Sequence, residues 1–169
     1  MEKNKQMKTI IIFGGNMPET LDLFNQAEAK ISSFLGKIIK KSFLYKSTAW
    51  GFDSDNNFLN QVIEIETYIK PLEQISILLR IENELGRQRN NDACYISRGI
   101  DLDILFIDDL IIKMPSLTVP HQRLHLRRFA LVPLNEKWKD KIHPILKKTM
   151  NELLQICPDK GSVTQLLTV

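Results

Sequence analysis

Between Arg98 and Leu105 the chain reads Arg-Gly-Ile-Asp-Leu-Asp-Ile-Leu, two carboxylates one residue apart in a run that otherwise has the composition of a buried strand. Side chains alternate across a strand, so Asp101 and Asp103 share one face. Two acidic groups this close on a half-buried sheet repel each other and lose hydration unless a cation or a set of donors sits between them. Hard carboxylate oxygens suit magnesium, which keeps several waters and takes one or two carboxylates together with substrate phosphates. Taken alone, the triplet fits a surface carboxylate pair on an edge strand equally well. Arg98 before it, and the apolar Leu102 and Ile104 to Ile107 around it, favour a metal-binding platform for a nucleotide.

The surrounding periodicity supplies the other elements. Thr9 to Phe13 is a β-branched and aromatic strand ending at Gly14-Gly15-Asn16, and from Pro18 the residues Leu21, Phe24, Ala27, Ile31 and Phe34 recur at helical spacing until Gly36. Lys37 to Tyr45 reads as a strand, Ser47 to Asn57 as a polar loop and Phe58 to Tyr68 as another strand. Pro71 opens a second helix carrying Leu72, Ile75, Leu78, Leu79, Glu82 and Leu85, which Gly86 ends. Arg87 to Ser97 is polar and aperiodic, a long loop. Ile100 to Ile107 is the acidic strand, and Asp108-Asp109 reads as a turn into a partner strand near Leu110 to Lys113. Further helices are expected around Leu124 to Leu134 and Lys147 to Ile156. The order β-α-β-β-α-β is that of the split βαβ or ferredoxin-like α+β arrangement, with an antiparallel sheet, both helices on one face and the other face free for ligands. An added strand hairpin and the C-terminal helices complete the expected fold, a single domain over residues 1–169.

Composition narrows the function classes. The chain has 169 residues, 43% of them apolar, enough for a substantial core. A net charge of +3 is far from the basic excess of a protein held on nucleic acid by phosphate neutralisation, so local clusters must carry any phosphate binding. Two cysteines, Cys94 and Cys157, make neither a zinc or redox motif nor a disulfide framework, and a reducing cytoplasm is expected. The basic start and the Thr9 to Phe13 run mimic a signal peptide, but Gly14-Gly15-Asn16 cuts the apolar stretch short of the ~7 to 15 residues required. No stretch approaches the ~20 apolar residues of a membrane span.

Donors for an anion cluster around the acidic strand. Arg87, Arg89, Arg98, His121, Arg123, Arg127 and Arg128 together can surround a triphosphate, because guanidinium forks match phosphate oxygens. Gly14-Gly15-Asn16 lacks the length and the Lys-Ser/Thr ending of a P-loop, so metal and arginines must hold the phosphates. Phe58 and Asn60 share a strand face, pairing an aromatic wall with a bidentate amide suited to a planar heterocycle. Phe129 is either the opposite wall or a helix-core residue, and His121, after Val119-Pro120, taken by itself fits a structural role better than a catalytic one.

Together these segments resemble the 6-hydroxymethyl-7,8-dihydropterin pyrophosphokinases. The resemblance runs through Gly14-Gly15-Asn16-Met17, Tyr45-Lys46-Ser47 to Gly51, Phe58-Leu59-Asn60, Gly86-Arg87-Gln88-Arg89, Arg98 to Asp103, Leu117 to His121 and Arg127-Arg128-Phe129. It implies transfer of a pyrophosphoryl group from ATP to a pterin alcohol, with Asp101 and Asp103 holding two magnesium ions. It further implies that Glu82, Arg87, Arg89, Arg98, His121 and Arg127 position the nucleotide, lined by Ile104 and Thr118. Asn60 would read the pterin edge between Phe58 and Phe129, with Ser47, Thr48 and Trp50 in the pterin loop and Tyr95 in a closing loop. Tyr95 stands where the family often has tryptophan, Ile96-Ser97 replaces its usual pair before the arginine, and Trp50 replaces a smaller aliphatic residue.

Two other classes compete. A single-stranded RNA-binding module shares the β-α-β-β-α-β order, but no Lys/Arg-Gly-Phe/Tyr segment is present and the acidic strand repels phosphate unless metal is bound. A family member that binds ATP or pterin without efficient turnover is distinguished only by turnover, and the retained Asp101, Asp103, Arg98, Asn60 and His121 favour a working enzyme. No extra domain and no obligate oligomer is expected, so the protein reads as a monofunctional monomer.

Overall fold

Along β1 (Met7–Gly15), successive buried side chains point alternately into two different cores, and this strand sets the layering. The computed structural model describes residues 5–51, 57–86 and 99–167. The elements that follow are α1 (Thr20–Phe34), β2 (Lys37–Lys41), β3 (Tyr45–Ser47), β4 (Phe58–Thr67), α2 (Pro71–Glu84) and β5 (Asp101–Ile107). Then come β6 (Ile112–Met114), β7 (Leu117–Val119), a 3-10 turn (Leu124–Leu126), α3 (Arg128–Trp138), α4 (Met150–Ile156) and β8 (Val163–Gln165).

The main sheet is antiparallel at every pairing, in the order β5-β1-β4-β3-β8. β2 pairs with the C-terminal half of the same β4 edge that β3 meets at its N-terminal half. One face carries Ile11, Phe13, Ile63, Ile65, Leu102 and Ile104 against Phe24, Ala27 and Ile31 of α1 and Leu78 and Ile81 of α2. Phe13 and Phe24 meet edge to face with ring centres 5.4 Å apart, and the Thr9 hydroxyl donates to Gln74 at 2.7 Å. Pro71 at the start of α2 suits its fixed φ, and Lys70 before it is extended.

The expectation of a free second face is corrected here. Ile10, Ile12, Val62, Leu105 and Phe106 are covered by Leu131 and Leu134 of α3 and Met150 and Leu153 of α4. The continuous apolar run in β5 serves both cores because the β1–β5 register shifts between Ile10 and Ile11, setting Leu105 and Phe106 into the same cluster. At one end of that face Gly14 and Asp101 stay partly open to solvent, with the buried Asn60 beside them.

Several boundaries also differ from the sequence expectations. The strand expected over Lys37 to Tyr45 is two, because Ser42 bonds Val62 through both its amide (2.9 Å) and its hydroxyl (3.0 Å), and the chain then swings so that the Phe43 amide reaches Glu136. Gly14 and Gly15 continue β1 rather than forming a turn, and Ser47 belongs to β3 rather than to the loop. The segment after Asp108-Asp109 pairs with Leu117–Val119, not with β5; Asp108 takes a left-handed φ of 45° and exchanges hydrogen bonds with Lys8, and the outer edge of β5 receives the His121 amide at Leu105 (3.0 Å). The helix expected from Leu124 is a 3-10 turn, one extended residue, Arg127, and then α3. α4 begins at Met150 because Thr149 and Glu152 form a reciprocal capping box. Among the described residues no helix is long and apolar enough to cross a membrane.

Candidate active site

Three strands converge at the open end of the second face. Gly14 of β1 stands opposite Asn60 of β4 on one side and Asp101 of β5 on the other, and Ile12, one pleat along, stands between Val62 and Asp103. Cross-strand partners share a face, so Asp101, Asp103, Asn60 and Phe58 all point the same way. Gly14 has no side chain, which leaves a trough between the acidic pair and the amide.

Over the acidic end lie His121 and Arg127. The Arg127 guanidinium is 3.8 Å from the Asp103 carboxylate and 3.4 Å from His121 Nε2. The Arg123 amide donates to His121 Nδ1 at 3.2 Å, so Nδ1 carries the lone pair and the proton of the neutral ring sits on Nε2. Nε2–H and the guanidinium are then two donors aimed into one region, an arrangement that suits an anionic oxygen. Burial first, and then the positive Arg127 and Arg123, hold the His121 pKa down at about 4, against an opposing pull from Asp101. The imidazole is neutral at physiological pH.

At the amide end, Asn60 is buried and its Nδ2 donates to Ser47 Oγ at 2.7 Å, which turns Oδ1 toward Gly14. Phe58, opposite Ser47 in the ladder, is half-buried one pleat further out. Trp50 sits over the Arg127 guanidinium (4.9 Å to the ring centre), with Phe129 on the same group at 5.7 Å. The Trp50 indole N–H donates to the Leu126 carbonyl at 3.1 Å.

Asp101, Asp103, His121, Arg127, Asn60, Phe58, Ser47, Trp50 and Phe129 are thus assembled around one trough. Thr48 is exposed beside it, its amide donating to the Ser162 carbonyl at 3.1 Å. Glu82 and Ile104 lie elsewhere, Glu82 on α2 and Ile104 on the sheet face covered by α1 and α2. The Glu82 carboxylate accepts the Leu102 amide at 2.7 Å and so braces β5 between its two aspartates, while Ile104 is in the core. Thr118 is on β7, its hydroxyl 3.5 Å from the Met114 carbonyl. Arg87, Arg89, Tyr95 and Arg98 lie outside the described residues. Sequence reasoning passed over Gly14 as a turn residue and did not single out Asp159. The carboxylate of Asp159 accepts the first amide of α3, that of Arg128, at 2.9 Å. A short acidic, glycine-containing stretch next to a three-residue strand carries no periodicity that would reveal this.

One end of the sheet thus carries a carboxylate pair, the Arg127 guanidinium beside the neutral His121 ring, and, across Gly14, an amide with an aromatic neighbour on its own strand. Residues 10–139 match the family model described as 7,8-dihydro-6-hydroxymethylpterin-pyrophosphokinase (HPPK). The 2-amino-4-hydroxy-6-hydroxymethyldihydropteridine pyrophosphokinase of Aquifex aeolicus is 36% identical over 147 residues, covering 86% of this chain and 90% of the relative. The enzyme of the same name from Haemophilus influenzae is 36% identical over 135 residues, 79% of this chain and 83% of its own. Among solved structures, a Plasmodium falciparum HPPK-DHPS with pteroate shares the fold with a TM-score of 0.75 at 16% identity, covering 91% of this chain. This chain spans 45% of that longer one. The chain belongs to the HPPK family.

Proposed function

We propose that this chain transfers a pyrophosphoryl group from ATP to 6-hydroxymethyl-7,8-dihydropterin, releasing AMP. The observation that carries the reading is the row Asp101–Gly14–Asn60, which sets an acidic, phosphate-facing end and a heterocycle-reading end on either side of a glycine. The sheet order β5-β1-β4 followed by β2 and β3 supports the ferredoxin-like reading of the fold.

Asn60 Oδ1, oriented by Ser47, accepts from the donor edge of the pterin, and Phe58 and Phe129 flank its ring. The hydroxymethyl group then extends over Gly14 toward Asp101. Its oxygen attacks the β-phosphorus of ATP, the bond from that phosphorus to the α–β bridging oxygen breaks, and AMP leaves with the bridging oxygen. The hydroxyl proton passes to Asp101 or to solvent. Arg127 and the Nε2–H of His121 stabilise charge on the transferring phosphates, and Arg87, Arg89 and Arg98 add to this set. Asp101 and Asp103 offer hard oxygen ligands only. Ligands of this kind suit magnesium that arrives with phosphate and completes its shell with phosphate and water. Bound there, two magnesium ions would neutralise phosphate charge and polarise the β-phosphorus.

The proposal is tested by identifying the phosphorylated product. With ATP, magnesium and the pterin, phosphorus NMR should find a pterin diphosphate ester with two coupled resonances. A pterin monophosphate would contradict β-phosphorus attack, and no pterin ester at all would leave a ligand-binding protein without turnover.

A further inference from the structure

Arg127 is the one extended residue between the 3-10 turn and α3, with φ −115° and ψ 96°. Both peptide groups that flank it are held by side chains from distant parts of the chain. On its N-terminal side the Leu126 carbonyl accepts the Trp50 indole N–H at 3.1 Å, and on its C-terminal side the Arg128 amide donates to Asp159 Oδ2 at 2.9 Å. Trp50 also stacks on the guanidinium itself.

The two holders are joined to each other. Asp159 Oδ1 accepts the Gly161 amide at 2.8 Å, the Ser162 carbonyl accepts the Thr48 amide at 3.1 Å, and β8 continues along β3 with Ser47 opposite Val163. A Cβ on Gly161 would lie 2.9 Å from the Thr48 hydroxyl, so the strap and the loop that carries Trp50 are in close contact. Residues 157–166 therefore tie the Ser47–Trp50 segment to the backbone on which Arg127 is mounted.

We infer that Trp50 and Asp159 are positioning residues that act through Arg127, fixing its backbone so that the guanidinium is delivered to the region shared by Asp103 and His121. The inference rests on the proposed role of Arg127 in binding nucleotide phosphate. A peptide unit fixed at both ends loses little further freedom when a ligand binds, so the holders raise phosphate affinity without touching the phosphate. Trp50 thereby has a task that an aliphatic residue at its position cannot perform, since only the indole offers an N–H to the Leu126 carbonyl.

The test is a double-mutant cycle read by calorimetric titration with magnesium and α,β-methylene-ATP, whose bridging carbon prevents AMP release. Arg127→Ala should weaken binding about tenfold to a hundredfold, the loss of a charge-assisted contact. Asp159→Ala should weaken it about threefold to tenfold in the parent and by less than about twofold in the Arg127→Ala background, because its effect runs through the missing guanidinium. Trp50→Phe, which keeps an aromatic face for the guanidinium and removes the indole N–H, should behave the same way and carries the test if Asp159→Ala does not fold. Equal weakening in both backgrounds, or no weakening by either holder while Arg127→Ala is weakened, overturns the inference. Unchanged binding in Arg127→Ala instead contradicts the nucleotide role of Arg127 itself.

Discussion

Asp101 and Asn60 stand opposite the same residue, Gly14, on the two sides of β1. Among the described residues, a Cβ at Gly14 would touch nothing closer than Asn60 Oδ1, at 3.8 Å, so their packing does not require glycine there. A methyl group at this point projects into the trough that the pterin hydroxymethyl crosses in the proposed reaction. Gly14→Ala should therefore keep its unfolding free energy within about 1 kcal/mol of the parent while turnover falls at least about tenfold. Steady-state kinetics beside equilibrium unfolding check the separation.

Gly15, its neighbour, should behave in the opposite way. A Cβ there would overlap the Gly99 carbonyl oxygen and lie 2.6 Å from Thr20 Cγ2. A backbone oxygen cannot swing aside as a side chain can. Gly15→Ala should cost about 1–3 kcal/mol of stability, seen as a lower urea midpoint.

Asn60 and Ser47 should separate recognition from orientation. Asn60→Ala removes the amide proposed to read the pterin edge, and the Michaelis constant for the pterin should rise about a hundredfold. Ser47→Ala leaves the amide but removes the acceptor at 2.7 Å that fixes which way it faces. Its Michaelis constant should rise only about threefold to tenfold.

His143 predicts a pH dependence of stability. Only 4% exposed, it accepts the Ile145 and Leu146 amides at Nδ1, both at 3.2 Å, and meets Phe106 edge to face. Burial, and then the nearby His125 and Lys141, hold its pKa down at about 4, against about 6.5 in the unfolded chain. Above pH 6.5 the group is neutral in both states and its contribution is intact. As pH falls from 6.5 toward 4 the unfolded chain takes up a proton that the fold excludes, so stability declines, by about 2 kcal/mol at the lower end. His143→Asn keeps an acceptor for the amides and should flatten this decline in urea titrations between pH 7 and 4.5. His121, also held down to about 4, adds in the same direction and leaves part of the slope.

Much of the site was legible in the sequence because local period determines it. Asp101 and Asp103 had to share a face of β5, Phe58 and Asn60 a face of β4, and the two amphipathic helices followed from spacing alone. What stayed hidden depends on contacts far apart in the chain. The break at Ser42 is set by Val62, the pairing of β6 by β7, and the burial of Ile10 and Ile12 by helices more than a hundred residues later. β8 has three residues, too few and too polar for a period, and its pairing with β3 is what brings Asp159 to α3. The bulge between β1 and β5 explains why Ile104 to Ile107 reads as continuously apolar in sequence: its residues fill two cores.

The most direct test of the account is the nucleotide product. Purified protein incubated with ATP, magnesium and 6-hydroxymethyl-7,8-dihydropterin should release AMP, only when the pterin is present, and Asp103→Ala should release it at least about a hundredfold more slowly. Formation of ADP, or AMP release undiminished in Asp103→Ala, would contradict pyrophosphoryl transfer at the acidic strand.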